Sequence, residues 1–468
     1  MAGLLPPWGT PAAETARAAL VSALLLLLFA AAELWKRRWD PPTEWTRKLV
    51  HFGGGVVAAG FPWLFARHWT VLALGIAFAA IIWGTRRMGL LQGIHGVQRR
   101  SQGGIYYPVA IYLVFLLAAD RPVFYLISLL VLMVSDTLAA LLGTEYGRQF
   151  YAVETDRRSL EGSAAFFLTT FLAVHLPLLL LTDVGRGASV LVAAQVALTV
   201  TIFEGISLEG SDNLIAPLAT YGLLAAMTPQ PAGFVARQLA AQLLITVLVG
   251  LLAWRFRFLA MSSAMGLALV VYGAYALGGS EWTLAPALAV LWFAGFHAVV
   301  RRVAPDAPSR YHIRGLFYVA LVPILLFALN NALERFAGPA LRPAAPDPLY
   351  VPFVGVVAAQ LVIVSFAHVM AVRPRRRRAA LSLATSGVFL GFLAVVPAAL
   401  AVGAAGLTLT GLLAAGAICG VALALYLSVR RLPVWPGVSP WDLRLQSLSA
   451  GVAMAMVLPL HLWHIGAY

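Results

Sequence analysis

A carboxylate and a row of small residues stand at the end of a hydrophobic run, in residues 135–147. In a helix, at about 100° per residue, Asp136, Ala139, Gly143 and Gly147 fall on one narrow face. Such a face lets a flat or phosphorylated ligand approach the backbone closely beneath a single carboxylate. A row of small residues is also typical of helix packing in membranes. Because a packing seam does not need an acid, Asp136 favours the binding interpretation.

Four further acids touch the hydrophobic runs, where acids are costly and are therefore candidates for function. They are Glu161, Glu204, Glu209 and Asp212. Mg²⁺ binds proteins through one or two carboxylates together with substrate phosphates and water. Asp136 and Asp212 suit this role best, because each lies at the end of a separate run. For Glu161 and Asp212, a place in the first turn of a helix is the structural alternative.

Basic residues lie near these acids in the chain. Arg157 and Arg158 carry guanidinium forks that suit phosphate oxygens. The alternative is an ordinary basic loop on the cytoplasmic side of a membrane protein. Arg47 and Lys48 stand at the start of the second hydrophobic run, with His51 one turn inside it. A binding role and a basic membrane-edge anchor with a packed histidine both stay open for them.

The elements that must position these residues are membrane helices. The chain has 468 residues, of which 61% are hydrophobic and 11% charged, and its mean hydropathy is +0.85. This composition predicts an all-α, polytopic integral membrane protein, and about sixteen runs are long and apolar enough for transmembrane helices. The single cysteine excludes a disulfide framework and cysteine-based zinc sites. The net charge of +14 lies in short clusters between the runs, so we expect contacts with the lipid bilayer and no nucleic acid.

The basic clusters also predict an orientation. With residues 36–38 in the cytoplasm and strict alternation afterwards, every later basic cluster falls on the cytoplasmic side, as the positive-inside rule requires. These clusters are at 86–87, 99–100, 148–158, 255–257, 301–302, 373–378 and 430–431. The acidic and basic motifs described above share this side. We therefore expect a protein of the cytoplasmic membrane with its polar site facing the cytoplasm.

The polar site resembles the nucleotide signature of the CTP-dependent polyprenol kinase family, which includes dolichol kinase and phytol kinase. That signature reads D-x-x-A-x-x-x-G-x-x-x-G, a spacer, and then K-K-T-x-E-G. The residues 136–147 match the first part in register at Asp136, Ala139, Gly143 and Gly147. The second part corresponds to 157–162, where Arg-Arg replaces Lys-Lys, Ser replaces Thr and the spacer is one residue longer. These replacements keep the charge and the hydroxyl group.

Other parts of residues 40–230 look like further landmarks of this family. The positions that correspond to the family's site are Arg47, Lys48, His51, Asp136, Ala139, Gly143, Gly147, Arg157, Arg158, Ser159, Glu161, Gly162, Glu204, Asp212 and Asn213. Fourteen of the nineteen acidic residues lie before residue 213. Together with the resemblance, this distribution predicts a catalytic membrane domain over residues 1–255, with residues 256–468 as an additional transmembrane region of unknown role.

The resemblance implies transfer of the γ-phosphoryl group of CTP to a membrane-dissolved isoprenoid alcohol such as phytol, dolichol or a polyprenol. It implies that Asp136 and Asp212 hold Mg²⁺ on the nucleotide, helped by Asn213. It further implies that Arg157 and Arg158 neutralise the triphosphate. Under this hypothesis, a carboxylate of Asp212 or Glu204 accepts the proton of the alcohol.

Two other interpretations of the function stay open. The related phosphatidate cytidylyltransferases also use CTP, Mg²⁺ and a membrane lipid, although their C-terminal signature is absent here. A polytopic transporter is the alternative from another class, but it predicts acids near the middle of the spans rather than at one face.

Residues 259–333 are faintly similar to the integral-membrane family that includes phytyl-phosphate kinase. For the last part of the chain, sheltering a lipid tail, homo-oligomer formation and a decayed second module are the expectations.

Overall fold

The computed structural model describes most of the chain, and the chain is an integral membrane protein built almost entirely of helices. The described residues are 10–95, 102–154, 156–303, 311–336, 347–370, 377–403, 406–430 and 440–465. Three of the basic positions used for the predicted orientation lie wholly or mostly outside them. These are the pair at 99–100, the cluster at 373–378 and Arg431.

Two compact units make up the chain, Met1–Ala240 and Ala241–Tyr468. The division falls inside the helix Ala232–Phe256, and the domain boundary predicted at 255–256 lies at the end of this helix. The separation of roles at that boundary stays a prediction.

The first unit is a helical bundle that carries one short β-hairpin. Its last helix, α12, continues into the second unit. The elements are α1 (Pro11–Trp39), α2 (Thr43–Ala59), α3 (Phe61–Leu64), α4 (His68–Arg87), α5 (Gln92–His95), α6 (Gly103–Leu117), α7 (Pro122–Leu130), a π-helical turn (Val131–Ser135), α8 (Asp136–Tyr146), β1 (Phe150–Val153), β2 (Asp156–Ser159), α9 (Leu160–Leu181), α10 (Arg186–Ile206), α11 (Asp212–Met227) and α12 (Ala232–Phe256).

Among its described residues, the second unit has helices as its extended elements, together with one isolated parallel β-bridge between Leu259 and Tyr311. Trp282 of α13 packs on two residues of α15, with ring centroids 5.3 Å from Tyr350 and 4.8 Å from Phe353. Because most of α15 is buried, it is the central helix of this unit. The helices are α13 (Met261–Val303), α14 (Ile313–Phe336), α15 (Tyr350–Met370), α16 (Arg377–Val402), α17 (Leu409–Arg430) and α18 (Pro440–His464).

Among the described residues, twelve helical segments are long and apolar enough to cross a membrane, so the predicted number of about sixteen is not confirmed. The difference arises at four places. Three predicted spans correspond to α2, α6 and α11, which have 17, 15 and 16 residues and are short for a full crossing. Two other predicted spans form the single 43-residue helix α13, which is interrupted at Gly279, where φ is 82°.

The hairpin of β1 and β2 lies where the sequence predicts only a basic loop. The strands pair in antiparallel register, with Tyr151 opposite Arg158. Tyr151 is buried, and its hydroxyl lies 3.0 Å from Ser163 Oγ on α9. Burial raises the pKa of the Tyr151 phenol, which therefore stays protonated and anchors β1 to the helix.

Two apolar clusters form the core of the first unit, and α7 contributes to both. In one cluster, α1 and α4 meet at Phe29 and Phe78, whose ring centroids are 6.0 Å apart. Tyr125 belongs to the same cluster and donates a hydrogen bond of 2.9 Å to the carbonyl of Ala58 in α2. Ile127 of α7 belongs to the other cluster, with residues of α9, α10 and α11. The apolar packing of α7 thus connects the two halves of this unit.

A buried acid fixes the start of α4 against α1. The Glu14 carboxylate accepts hydrogen bonds of 3.1 Å from the backbone N–H groups of Ala66 and Arg67, and of 2.7 Å from the Thr70 hydroxyl. Backbone N–H groups at a helix start lack partners within the helix, so a carboxylate is a suitable cap. Glu14 therefore joins two helices that are distant in sequence.

We predict that Glu14→Ala destabilises the first unit by about 1–3 kcal/mol, because two backbone N–H groups and the Thr70 hydroxyl lose their acceptor in a partly buried contact. Glu145→Ala removes an exposed acid and is expected to change stability by less than about 0.5 kcal/mol. Thermal unfolding of both variants in the same detergent measures the difference. Equal melting temperatures for the two variants would show that the Glu14 cap is not important.

Candidate active site

The predicted acid Asp136 follows directly on an irregular turn of helix. The five residues Val131–Ser135 are π-helical, and the backbone N–H of Asp136 donates to the carbonyl of Val131. Such turns inside α-helices are frequent at functional sites, because they change the direction in which later side chains point. Asp136 is the first residue of α8. The turn therefore sets the direction from which the Asp136 carboxylate enters the bundle.

Asp136 forms a buried cluster with two residues of α2. The Lys48 ammonium lies 2.5 Å from Asp136 Oδ2 and 3.2 Å from the Asp136 carbonyl oxygen. His51 Nε2 lies 3.1 Å from the same Oδ2 and 2.8 Å from the carbonyl oxygen of Leu132. Because both neighbours of Nε2 are acceptors, a neutral His51 carries its proton there. Tyr107 donates a 2.7 Å hydrogen bond to the His51 carbonyl and packs on its ring.

A second charged cluster is organised by Arg158 of β2. One nitrogen of the guanidinium forms an ion pair with Glu204, near the end of α10. The other donates a 2.8 Å hydrogen bond to Ser207 Oγ and lies 3.6 Å from Asp212 Oδ2, at the start of α11. Arg158 and Glu204 are largely buried. The charge of Arg158 is therefore balanced by the protein itself, and its side chain ties the hairpin to two helices.

Arg157 is adjacent to Arg158 in the chain but has a different environment. Successive side chains of a strand point to opposite faces, and Arg157 is exposed whereas Arg158 is largely buried. The Arg157 guanidinium lies 4.7 Å from the centre of the Phe150 ring. Within the described part of the chain, Arg157 has no ion pair with a carboxylate. Of the two arginines, Arg157 is the one whose charge is available to a ligand.

Two buried oxygen atoms at the start of α11 are acceptors without a partner among the described residues. They are Asp212 Oδ1 and Asn213 Oδ1. The Asn213 amide nitrogen donates to the carbonyl of Gly210 at 3.3 Å, which leaves the amide oxygen free. Glu209 and Gly210 have positive φ values of 54° and 85° and form the tight turn that places both oxygens. No group of three or more His, Cys, Asp or Glu side chains suited to a metal ion occurs within the described ranges.

The glycine face of α8 packs closely against the start of α9. A Cβ atom added at Gly162 would lie 3.0 Å from the carbonyl oxygen of Ala139 and 3.2 Å from the Cα atom of Gly143. At Gly147, an added Cβ would clash with the carbonyl of Gly143. The Ser159 hydroxyl caps α9 by accepting a 3.1 Å hydrogen bond from the Gly162 N–H. These contacts give the small residues a packing role, and their predicted role in nucleotide binding stays a prediction.

Glu161 also has a structural contact, because its carboxylate accepts hydrogen bonds of 3.2 and 3.3 Å from the backbone N–H of Gln149. This connection holds the residues before β1 against the first turn of α9. Glu161 lies in the first turn of α9, which is the position that the structural alternative for this residue expects. Its proposed role towards a ligand is not tested by this contact.

A cavity of about 1000 Å³ joins the two charged clusters within the first unit. All predicted site residues line it except Gly147 and Glu161. The remaining wall consists mainly of apolar side chains from four helices. These are chiefly Phe29 of α1, Ala58 of α2, Val71, Leu74 and Phe78 of α4, and Ile111 of α6. The cavity therefore has one charged region and one apolar region.

Several lining residues were not predicted from the sequence. Glu44 holds Arg47 in a 2.5 Å ion pair, and Trp83 and Arg87 of α4 contribute a stacked pair at 4.1 Å. The aromatic wall residue Phe78 was also missed. The helical spacing of α4 could have indicated which residues share a face, but it does not show that this face lines a cavity.

The chain is similar to the phytol kinase of Synechocystis sp., with which it shares 35% identity over 191 residues. The similar part is 40% of this chain and 82% of that relative. No family model matches the chain, and no solved structure matches it. The similarity thus covers most of a phytol kinase, while more than half of this chain lies outside it.

We predict that Arg158→Ala destabilises the first unit by about 3 kcal/mol or more, because it leaves the buried Glu204 carboxylate without its counter-charge. Arg157→Ala is the matched control in the neighbouring position, and it should change stability by less than about 0.5 kcal/mol. Thermal unfolding in detergent compares the two. A larger loss of stability for Arg157→Ala than for Arg158→Ala would contradict the assignment of Arg158 as the structural arginine and of Arg157 as the arginine available to a ligand.

We predict that Gly162→Ala destabilises the contact of α8 and α9 by about 1–3 kcal/mol, because the added methyl group meets backbone atoms that cannot move easily. Gly222→Ala in α11 is the control, since a Cβ there meets nothing within 4 Å. That substitution should be neutral or stabilising by about 0.5–1 kcal/mol. If unfolding temperatures show the same effect for both, close packing at Gly162 is not the cause.

Proposed function

Because this chain belongs to the polyprenol and phytol kinase-like family, we propose that it is a membrane-embedded lipid kinase that transfers the γ-phosphoryl group of CTP to a long-chain isoprenoid alcohol. The name of the relative supports phosphorylation of an isoprenoid alcohol. The correspondence of residues 136–147 and 157–162 to the nucleotide signature supports CTP as the donor. We propose residues 1–255 as the catalytic part.

The observation that carries this proposal is the cavity with two kinds of wall. A triphosphate needs cationic and hydrogen-bonding groups, whereas an isoprenoid chain needs an apolar surface. The charged region with Lys48 and Arg157 and the apolar region with Phe29 and Leu74 line one continuous space of about 1000 Å³. A water-soluble donor and a lipid acceptor therefore have a common meeting point. A phosphoryl transfer reaction depends mainly on such positioning and on charge neutralisation.

For the phosphates of CTP, we propose Arg157 as the principal cation. Its guanidinium has no carboxylate partner in the described residues, and the fork of N–H groups suits phosphate oxygens. Lys48 adds a buried positive charge near the same region, although Asp136 balances much of it. Arg158 is proposed to act by positioning, because it holds Asp212 and the hairpin that carries Arg157.

The residues at the start of α11 fit a magnesium ion. Mg²⁺ uses oxygen ligands, needs only one or two carboxylates, and completes its shell with phosphates and water. The buried, unpartnered oxygens Asp212 Oδ1 and Asn213 Oδ1 are of the required kind. We propose Asp136, which lines the same cavity, as the second carboxylate. When bound, Mg²⁺ supplies positive charge that neutralises phosphate oxygens.

In the proposed reaction, the hydroxyl oxygen of the alcohol forms a bond to the γ-phosphorus. The bond between this phosphorus and the bridging oxygen of CTP breaks, and CDP leaves with that oxygen. The proton of the alcohol passes to a carboxylate, for which we propose Asp212 or Glu204. Of these two, Asp212 is the better placed acceptor, because its Oδ1 has no partner among the described residues, whereas Glu204 forms an ion pair with Arg158.

We also propose that the charged end of the cavity faces the cytoplasm. This orientation gives CTP direct access and places the hydroxyl group of a membrane-dissolved alcohol at the interface. The basic clusters near this end, including Arg86 and Arg87, support it through the positive-inside rule. The same argument favours the cytoplasmic membrane as the location.

The reaction is tested with the purified protein, Mg²⁺ and CTP labelled with phosphorus-32 at the γ position. We expect label in the lipid product with farnesol, phytol or a longer polyprenol, and none with diacylglycerol. A parallel reaction with CTP labelled at the α position separates the alternatives. Transfer of the α label instead would replace the kinase proposal by nucleotidyl transfer, and no transfer of either label would exclude both.

We predict that Asp212→Asn lowers kinase activity at least about 100-fold, because it removes charge from the proposed phosphate and metal region. Asp136→Asn should have a similar effect. Asp183→Asn, at an exposed position outside the cavity, is the control and should retain activity. Full activity in a folded Asp136→Asn or Asp212→Asn variant would remove that residue from the site.

A further inference from the structure

One face of α2 and α3 lines the cavity, and its residues change from charged at the start of α2 to apolar at α3. Arg47, His51, Gly54, Ala58 and Phe61 follow each other at intervals of three or four residues, which places them on one side of a helix. All five line the cavity. The backbone of Gly60, between α2 and α3, is itself α-helical, so this face continues across the junction. A single helical stripe therefore lines both the charged and the apolar region.

The apolar end of this stripe is closed. The side chains of Ala58, Phe61 and Val71 are only 2%, 4% and 1% exposed. Phe61 also packs edge-on against Phe65, with ring centroids 5.3 Å apart. At ~1.5 Å rise per residue, α2 extends about 15 Å from Lys48 to Ala58. This end of the cavity, called the channel below, is therefore enclosed by protein.

The middle of the stripe has unusually small side chains. Gly54 has no side chain, and a Cβ added there would be in ordinary contact with the ring of Tyr107 at 3.8 Å. Ala58 follows one turn later. Larger side chains, such as Leu74 and Phe78 of α4, line the same cavity. The width of the channel thus depends on the small residues of α2, and its end depends on Phe61.

We propose that this stripe sets the maximum length of the isoprenoid chain that the substrate can have. This inference rests on the proposed lipid kinase function. Gly54 and Ala58 leave the space in which the chain lies, and Phe61 ends it. The distance from Lys48 and Asp136 to Phe61 then fixes the longest chain that fits while its hydroxyl group reaches the charged region.

The expected effect is on the position of the hydroxyl group rather than on apolar affinity. A chain that does not fit can remain in the lipid bilayer, which is as apolar as the channel, so little binding energy distinguishes the two places. A chain that is too long for a closed channel instead holds its hydroxyl group away from the donor. A displacement of about 1 Å in the reacting atoms can cost on the order of 100-fold in rate.

The test compares wild type and Ala58→Leu with isoprenoid alcohols of increasing length, from geraniol through farnesol and phytol to a long polyprenol. We expect Ala58→Leu to lower kcat/KM at least about tenfold for the longest alcohol that wild type accepts. The change for the shortest accepted alcohol should stay below about threefold. Ala59→Leu, the same substitution at the neighbouring position that does not line the cavity, is the control and should leave the length profile unchanged.

The opposite substitution tests the end of the channel. Phe61→Leu shortens the side chain at the closed end and should raise the relative kcat/KM for alcohols longer than the wild-type optimum. If thermal unfolding in detergent shows that Ala58→Leu does not fold, Phe61→Leu still tests the inference. An unchanged length profile in the folded variants overturns the inference, as does an equal loss for all lengths. Wild-type protein that phosphorylates no alcohol of any length overturns the proposed function instead.

Discussion

Charged side chains inside an apolar bundle must be paired, and the first unit depends on this constraint. Lys48 is almost fully buried and is balanced by Asp136, while Arg158 is balanced by Glu204 and approached by Asp212. An uncompensated charge in such surroundings is strongly unfavourable, so each pair fixes the helices that carry its members. The two pairs hold α2 to α8 and the hairpin to α10 and α11. The walls of the cavity are positioned by these contacts.

The same pairing separates groups that support the site from groups that remain available to a ligand. Arg158 and Lys48 have their charges balanced within the protein, whereas Arg157 has no such partner in the described residues. The unpartnered oxygens of Asp212 and Asn213 lie beside a paired oxygen and a bonded amide nitrogen of the same side chains. A cluster of this kind is held rigidly by its paired groups and leaves its unpaired groups open to a ligand, as preorganised sites do.

The apolar end of the cavity depends on a different physical property, the size of side chains along one helix. Small residues of α2 and larger side chains of α1, α4 and α6 line this end, and several of them belong to one apolar cluster. Charge pairing at one end and side-chain volume at the other thus define a single cavity with two chemical characters. That combination is what a reaction between a soluble nucleotide and a membrane lipid requires.

The sequence by itself determined the membrane class, most helix positions, and the acid with its row of small residues, because these follow from local composition and periodicity. The pattern at 136–147 and 157–162 also indicated the correct family. Only the tertiary structure decided which charges pair, since Lys48 and Asp136 are far apart in the chain and no local pattern joins them. It also decided that Arg157 and Arg158 differ. Two identical neighbours cannot be distinguished by composition, but they point to opposite sides once the segment forms a strand instead of the expected loop.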